Sequence, residues 1–200
     1  MIRLRPGDII GMRSYDAVGR IINYGTWGAR NGISHISIVA EHPHEEGELL
    51  IYESTTQCPL DCEFAHRKVS GVQAHNPYAR IESYYGGVWV YRLTPELNKY
   101  ESARLTKFLH YHVGTEYDYR GALRARDSGF MLRYILPASG LETLFCSEYV
   151  AAALQCLERV DLSYGNGWSP NRLRRYLFAQ NIVRLVGQIK PTPKLPEGCL

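Results

Sequence analysis

Cys146 stands in the stretch FCSEYVAAAL, residues 145–154, at the front of a small and apolar run that reads as a helix to about Arg159. A thiol attacks a carbonyl carbon as the thiolate, so a catalytic cysteine needs surroundings that favour the anion. The first turn of a helix offers them, through unpaired N–H groups and the positive end of the helix dipole. The Cys146 backbone N–H is then a candidate donor to the oxyanion of a tetrahedral intermediate, a contribution of about 3–4 kcal/mol per donor. The structural counterpart of this reading is a small hydrophobe opening a buried helix.

A thiol nucleophile requires a base, and His35 is the best placed of the seven histidines because it falls in the strand-like run ISHISIVAE rather than in a polar loop. Its imidazole can pair with the thiolate at neutral pH and later return a proton to a leaving group. The polar turn HPHEEGE follows, and then LLIYES, which makes the two apolar runs an antiparallel hairpin. Strand side chains alternate, so His35 shares a face with Ile33, Ser37 and Val39, and Glu53 shares one with Leu49 and Ile51. Glu53 is thus the candidate that orients His35.

These residues need a sheet and a helix to hold them. GDIIGM predicts a first strand after a Pro6–Gly7 turn, GVQAH a short strand, GGVWVYRL another, and NIVRLVGQI a last one. Thr94 followed by Pro95 predicts a capped helix to about Gly114, with Leu97, Tyr100, Leu105, Phe108 and Leu109 on its apolar side. Ser169 followed by Pro170 repeats that signal before NRLRRYLFA. In the cysteine helix, Val150, Ala153, Leu154 and Leu157 form the buried stripe. Cys156 lies about 280° around from Cys146 and reads as core packing. The expectation is an α+β domain over residues 1–190, with a flexible tail at 191–200 that offers a docking segment for a protein partner.

Composition narrows the classes. The chain has 200 residues, 45% of them hydrophobic and 22% charged, which suits one ordinary core. A formal charge of +3 is too small to argue for nucleic acid, and the arginine-rich stretches read as solvated helix faces. No run is long and apolar enough to span a membrane, and MIRLRPGDII lacks the apolar core of a signal peptide. Five cysteines form an odd, scattered set, so reduced thiols in the cytoplasm or another reducing compartment are expected. Cys58, Cys62, His66 and His75 form a weaker constellation, four potential zinc ligands without a zinc-finger spacing. No glycine-rich phosphate loop or HExxH motif occurs.

GDII at 7–10, SHISIVA at 34–40, YES at 52–54, YDY at 117–119 and FCSEYVAAAL resemble the circularly permuted branch of the NlpC-type, papain-like cysteine hydrolases. Within that branch the chain is similar to YiiX-like proteins and, more distantly, to lecithin retinol acyltransferase-like enzymes. The resemblance spans about residues 6–155. It implies a permuted papain-like fold, a central antiparallel sheet packed against the helix that carries the nucleophile. It further implies Cys146 as nucleophile, His35 as base and Glu53 as the third member, with Tyr117 and Asp118 in the substrate or oxyanion region. Asp8 belongs to a structural turn. The implied activity is hydrolysis or acyl transfer at an amide or ester carbonyl of a peptide, isopeptide or acyl lipid, with no cofactor. The alternative is a non-catalytic binding or structural module of the same fold. Residues 55–86 match nothing in the family pattern.

Overall fold

The computed structural model describes residues 2–14, 32–56, 58–115, 142–161 and 168–191. Among these, six strands form one antiparallel sheet: β1 (Ile9–Ser14), β2 (His35–Glu41), β3 (Leu49–Thr55), β4 (Gly71–His75), β5 (Gly86–Leu93) and β6 (Val183–Lys190). Their order across the sheet is β4-β3-β2-β1-β5-β6. The described helices are α1 (Pro77–Ser83), α2 (Lys99–Tyr111), α3 (Glu142–Cys156) and α4 (Pro170–Ala179). The expected α+β architecture is therefore present, and each strand read from the sequence is a strand of the sheet.

Alternation along the strands divides the core in two. Ile9, Ile36, Ile38, Leu50, Tyr52 and Ala74 face one side, where Leu105 and Leu109 of α2, Val150 and Leu154 of α3, and Leu173 and Leu177 of α4 cover them. Ile10, Met12, Val39, Ile51, Val88 and Val90 face the other side, under Leu4 and Ile81 of α1. Ile33 packs with Ile36 rather than with Val39, contrary to the expected sharing of a face with His35. The bend at Ser34 interrupts the alternation just before β2 begins. His35 itself pairs with Met12, which puts it on the face of Met12 and Val39.

The turn before β1 is built as its sequence suggests. Gly7 has φ +85°, and a Cβ there would lie 2.8 Å from Leu97, so the position requires glycine on two counts. Asp8 is fully buried and accepts from Arg92 Nε and Nη2, both at 2.8 Å, and from the Arg5 N–H at 2.9 Å. Its role is structural.

Helix α2 begins four residues later than Pro95. Asn98 is its cap and forms a reciprocal capping box with Glu101, which satisfies two orphan N–H groups at once. Leu105 and Leu109 are buried as expected, whereas Tyr100, 74% exposed, faces solvent in the first turn. Ser169 does cap α4, accepting from Arg172 N. Cys156 is half-buried and hydrogen-bonds Arg104, so it is a surface contact and not core packing.

The stripe Val150, Ala153, Leu154 and Leu157 is buried as read from the sequence and anchors α3 on the sheet. Leu154→Ala is expected to destabilise the fold by about 2–5 kcal/mol, the usual cost of a core truncation that leaves a cavity. Urea unfolding followed by circular dichroism checks this value.

Candidate functional site

Register places the two strand residues before any side chain is considered. Ile38 pairs with Tyr52 and Val39 with Ile51, so the same register sets Ser37 across from Glu53 and makes His35 its diagonal neighbour. The contact is made: His35 Nε2–H donates to Glu53 Oε2 at 2.6 Å, with Glu53 fully buried and His35 8% exposed. The other ring nitrogen, Nδ1, remains for Cys146, whose side chain hydrogen-bonds the His35 ring. His35 is the first residue of β2, at the end of the strand, where its ring can meet a helix packed on the opposite face.

Burial works against charge on His35. The negative charge and hydrogen bond of Cys146, then the hydrogen bond and charge of Glu53, outweigh it and raise the imidazole to about 9. Burial also opposes the Glu53 carboxylate. Arg80 overcomes this with its charge, with His35 adding to it, and Glu53 is held well below the usual carboxylate range.

Arg80 is the residue that sequence reasoning missed. Its Nε donates to Glu53 Oε1 at 2.6 Å and its Nη2 to Oε2 at 3.2 Å, a two-point grip between buried groups. The guanidinium also lies 5.3 Å from the centre of the Tyr84 ring. It is positioned by α1, which Asn76 caps by accepting from the N–H groups of Tyr78 and Ala79, with Pro77 opening the helix. At the other end, Lys190 Nζ donates to the carbonyls of Ile81, Glu82 and Tyr84 at 3.2, 2.6 and 2.7 Å. Lys190 therefore ends a strand and fixes a helix C-terminus. The Asn76-Pro77 pair was the available signal for α1.

Helix α3 starts at Glu142, so Cys146 is its fifth residue, one turn into the helix and just past the four orphan N–H groups. The expectation that Cys146 lies in the first turn and offers its own N–H to an oxyanion gives way to one in which that N–H belongs to the helix ladder. Cys146 is fully buried. Tyr117 and Asp118 lie outside the described residues, as does Cys199.

The two cysteines and two histidines read as potential zinc ligands separate into two pairs. Cys58 Sγ, His75 and Glu53 Oε1 or Oε2 offer donor atoms all within 4.8 Å of one another, in a wholly buried group that could hold a metal ion. Cys62 and His66 are not in that group. They close a tight turn in which the His66 N–H donates to the Cys62 carbonyl at 2.9 Å, with His66 on the surface. Burial first, and the negative charge of Glu53 with it, push the Cys58 thiol up to about 11 against the pull of Arg80.

The wild-type His35 ring is expected to lose its proton near pH 9, and Cys146→Ala to bring that midpoint down toward the ordinary 6.5, as read by the ring proton shifts in NMR. The folded value lies above the unfolded one. This charge therefore stabilises the fold fully below about pH 6.5 and the gain is lost as pH rises to about 9.

No protein-family model matches this chain, and no curated protein matches it. Among solved structures, the crystal structure of YiiX, described as a metalloprotein of Escherichia coli O157:H7 and as DUF1105, has a TM-score of 0.60 and 14% sequence identity. The match covers 95% of this chain and 100% of that one. At that identity the likeness is one of fold. No described helix is long and apolar enough to cross a membrane.

Proposed function

We propose that this chain is a thiol-dependent hydrolase or acyltransferase with a permuted papain-like, YiiX-like architecture, acting on an amide or ester carbonyl through Cys146, His35 and Glu53. The observation that carries the reading is the placement of His35 between a hydrogen-bonded thiol and a buried, hydrogen-bonded carboxylate. His35 has an acid on one side, a nucleophile on the other, and a raised affinity for its proton.

In the proposed reaction the Cys146 sulfur forms a bond to the carbonyl carbon, and the π electrons move to oxygen. When the tetrahedral species collapses, the bond to the leaving amine or alcohol breaks and His35 supplies its proton. A thioester to Cys146 remains. The now neutral His35 takes a proton from water, or from an acceptor alcohol or amine, as that nucleophile attacks; the thiolate then leaves. Glu53 holds the ring orientation and favours the imidazolium throughout, the part an acidic residue plays in a Cys-His-acid triad. The resemblance supplies Tyr117 and Asp118 for the substrate or oxyanion region.

The substrate class is a peptide, isopeptide or acyl lipid. A reducing compartment suits Cys58, Cys62, Cys146 and Cys156, none of which is in a disulfide, since a nucleophilic cysteine must stay reduced. Residues 1–190 act as one catalytic domain in this reading, with 191–200 as the docking tail.

The test is alkylation of Cys146 by iodoacetamide at pH 7, followed by peptide mass mapping. An ordinary thiol is only a few per cent ionised there, so the imidazolium-paired Cys146 is expected to react at least about tenfold faster than in His35→Ala. Equal rates in the two proteins, or no reaction at Cys146, would overturn the proposal and favour a binding module with the same fold.

A further inference from the structure

Glu53 serves a second group of side chains that the proposed reaction does not use. On β4, Gln73 pairs with Glu53 and His75 with Ile51, so both point to the same face as Glu53. Gln73 is locked in one orientation, because its Nε2 donates to the carbonyls of Thr55, Val69 and Gly71 at 2.7, 3.2 and 3.3 Å. Its amide oxygen is therefore the atom turned toward His75 Nε2, at 3.0 Å. The other ring nitrogen, Nδ1, faces the Asp61 carbonyl at 3.1 Å.

Both nitrogens of His75 thus face acceptors, and a neutral imidazole has only one N–H. With Nδ1–H on Asp61, Nε2 turns a lone pair toward the Gln73 oxygen and toward Glu53 Oε1, 3.7 Å away. Cys58 Sγ completes the group. Three donor atoms, from Glu53, Cys58 and His75, lie within 4.8 Å of one another in a buried group, the Gln73 oxygen lies 3.0 Å from His75 Nε2, and the Arg80 guanidinium holds the same carboxylate.

We infer that Glu53, Cys58 and His75, with the Gln73 side-chain oxygen as a fourth donor, bind a zinc-like divalent cation. The donor set is that of zinc: one thiolate, one imidazole and one carboxylate, a mixture that calcium and magnesium do not favour. The His75 Nδ1–H to Asp61 carbonyl bond is the outer contact that fixes a metal-binding tautomer. Tetrahedral bonds of zinc length put neighbouring N and O donors roughly 3.3–3.4 Å apart, so the 3.7 Å between His75 Nε2 and Glu53 Oε1 needs only a small contraction.

Arg80 need not move. Each carboxylate oxygen has two acceptor sites, and four can be counted on Glu53. His35 and Arg80 Nη2 occupy those of Oε2, and Arg80 Nε one of Oε1. The Cys58 thiol hydrogen-bonds Glu53, so the cation would take the place of that thiol proton. Cys62 and His66 stay outside the site. Metal binding here is independent of whether Cys146 turns over substrate, although both groups hold the same carboxylate.

The experiment titrates the full-length protein, stripped by a chelator, with Co²⁺ and reads its absorption. The expected result is saturation at one equivalent, with tetrahedral d–d bands and a thiolate-to-cobalt band that Zn²⁺ displaces. Cys58→Ser should abolish the thiolate band and His75→Ala should weaken binding by more than the roughly 10–100-fold typical of an outer-shell change, while Cys146→Ser leaves both features intact. X-ray absorption of the zinc-loaded wild type, which does not depend on variants folding, should show a single sulfur neighbour. No saturable binding, a shell with no sulfur or with more than one, or a thiolate band that depends on Cys146 instead of Cys58 would overturn the assignment. The last outcome would leave the nucleophile reading to its own alkylation test.

Discussion

A carboxylate with no solvent exposure is the constraint around which this site is organised. Left alone, the Glu53 charge would cost several kcal/mol to bury, and the group would take up a proton instead. It stays ionised because Arg80 grips both oxygens and His35 donates to one of them. Removing Arg80 would remove more than an ion pair, since the charge that holds His35 protonated would itself lose support. The pair is thus best understood as a device for specifying the state of His35, with a stability value that depends on both partners remaining.

The supporting chain can be traced back to ordinary local structure. Asn76 and Pro77 start a two-turn helix, and Lys190 at the end of β6 closes it by donating to its last carbonyls. That helix carries Arg80, Arg80 fixes Glu53, and the β2–β3 register fixes Glu53 against His35. On the opposite face, Val150 and Leu154 seat α3 on the sheet and bring Cys146 to the end of β2. Neither face alone makes the site. A strand end, where a ring can reach past the sheet, is the place at which the two layers can share one side chain.

The strand residues were legible because alternation is a strong, local signal: His35 and Glu53 could be assigned to one face from spacing alone, and the β2–β3 hairpin does place them there. The small, apolar character of VAAAL likewise marked a helix that packs closely. Three features were not legible for physical reasons. Arg80 lies 27 positions from Glu53 in a segment dense with turn residues, so no periodicity linked them. The start of α2 was misplaced because Thr94 and Pro95 form a plausible cap, while the reciprocal Asn98–Glu101 box is stronger and lies just downstream. The start of α3 was placed too near Cys146, which matters more, because a shift of one turn removes the cysteine from the orphan N–H groups. Activation by His35 therefore has to carry what the helix end does not.

The most direct test of that account is a pre-steady-state assay with p-nitrophenyl acetate, coupled to intact-mass and peptide analysis. The account predicts a burst of one equivalent of nitrophenol, an acetyl group on Cys146, and loss of the burst in both Cys146→Ser and His35→Ala. A burst that survives His35→Ala, or acetylation confined to other residues, would contradict it.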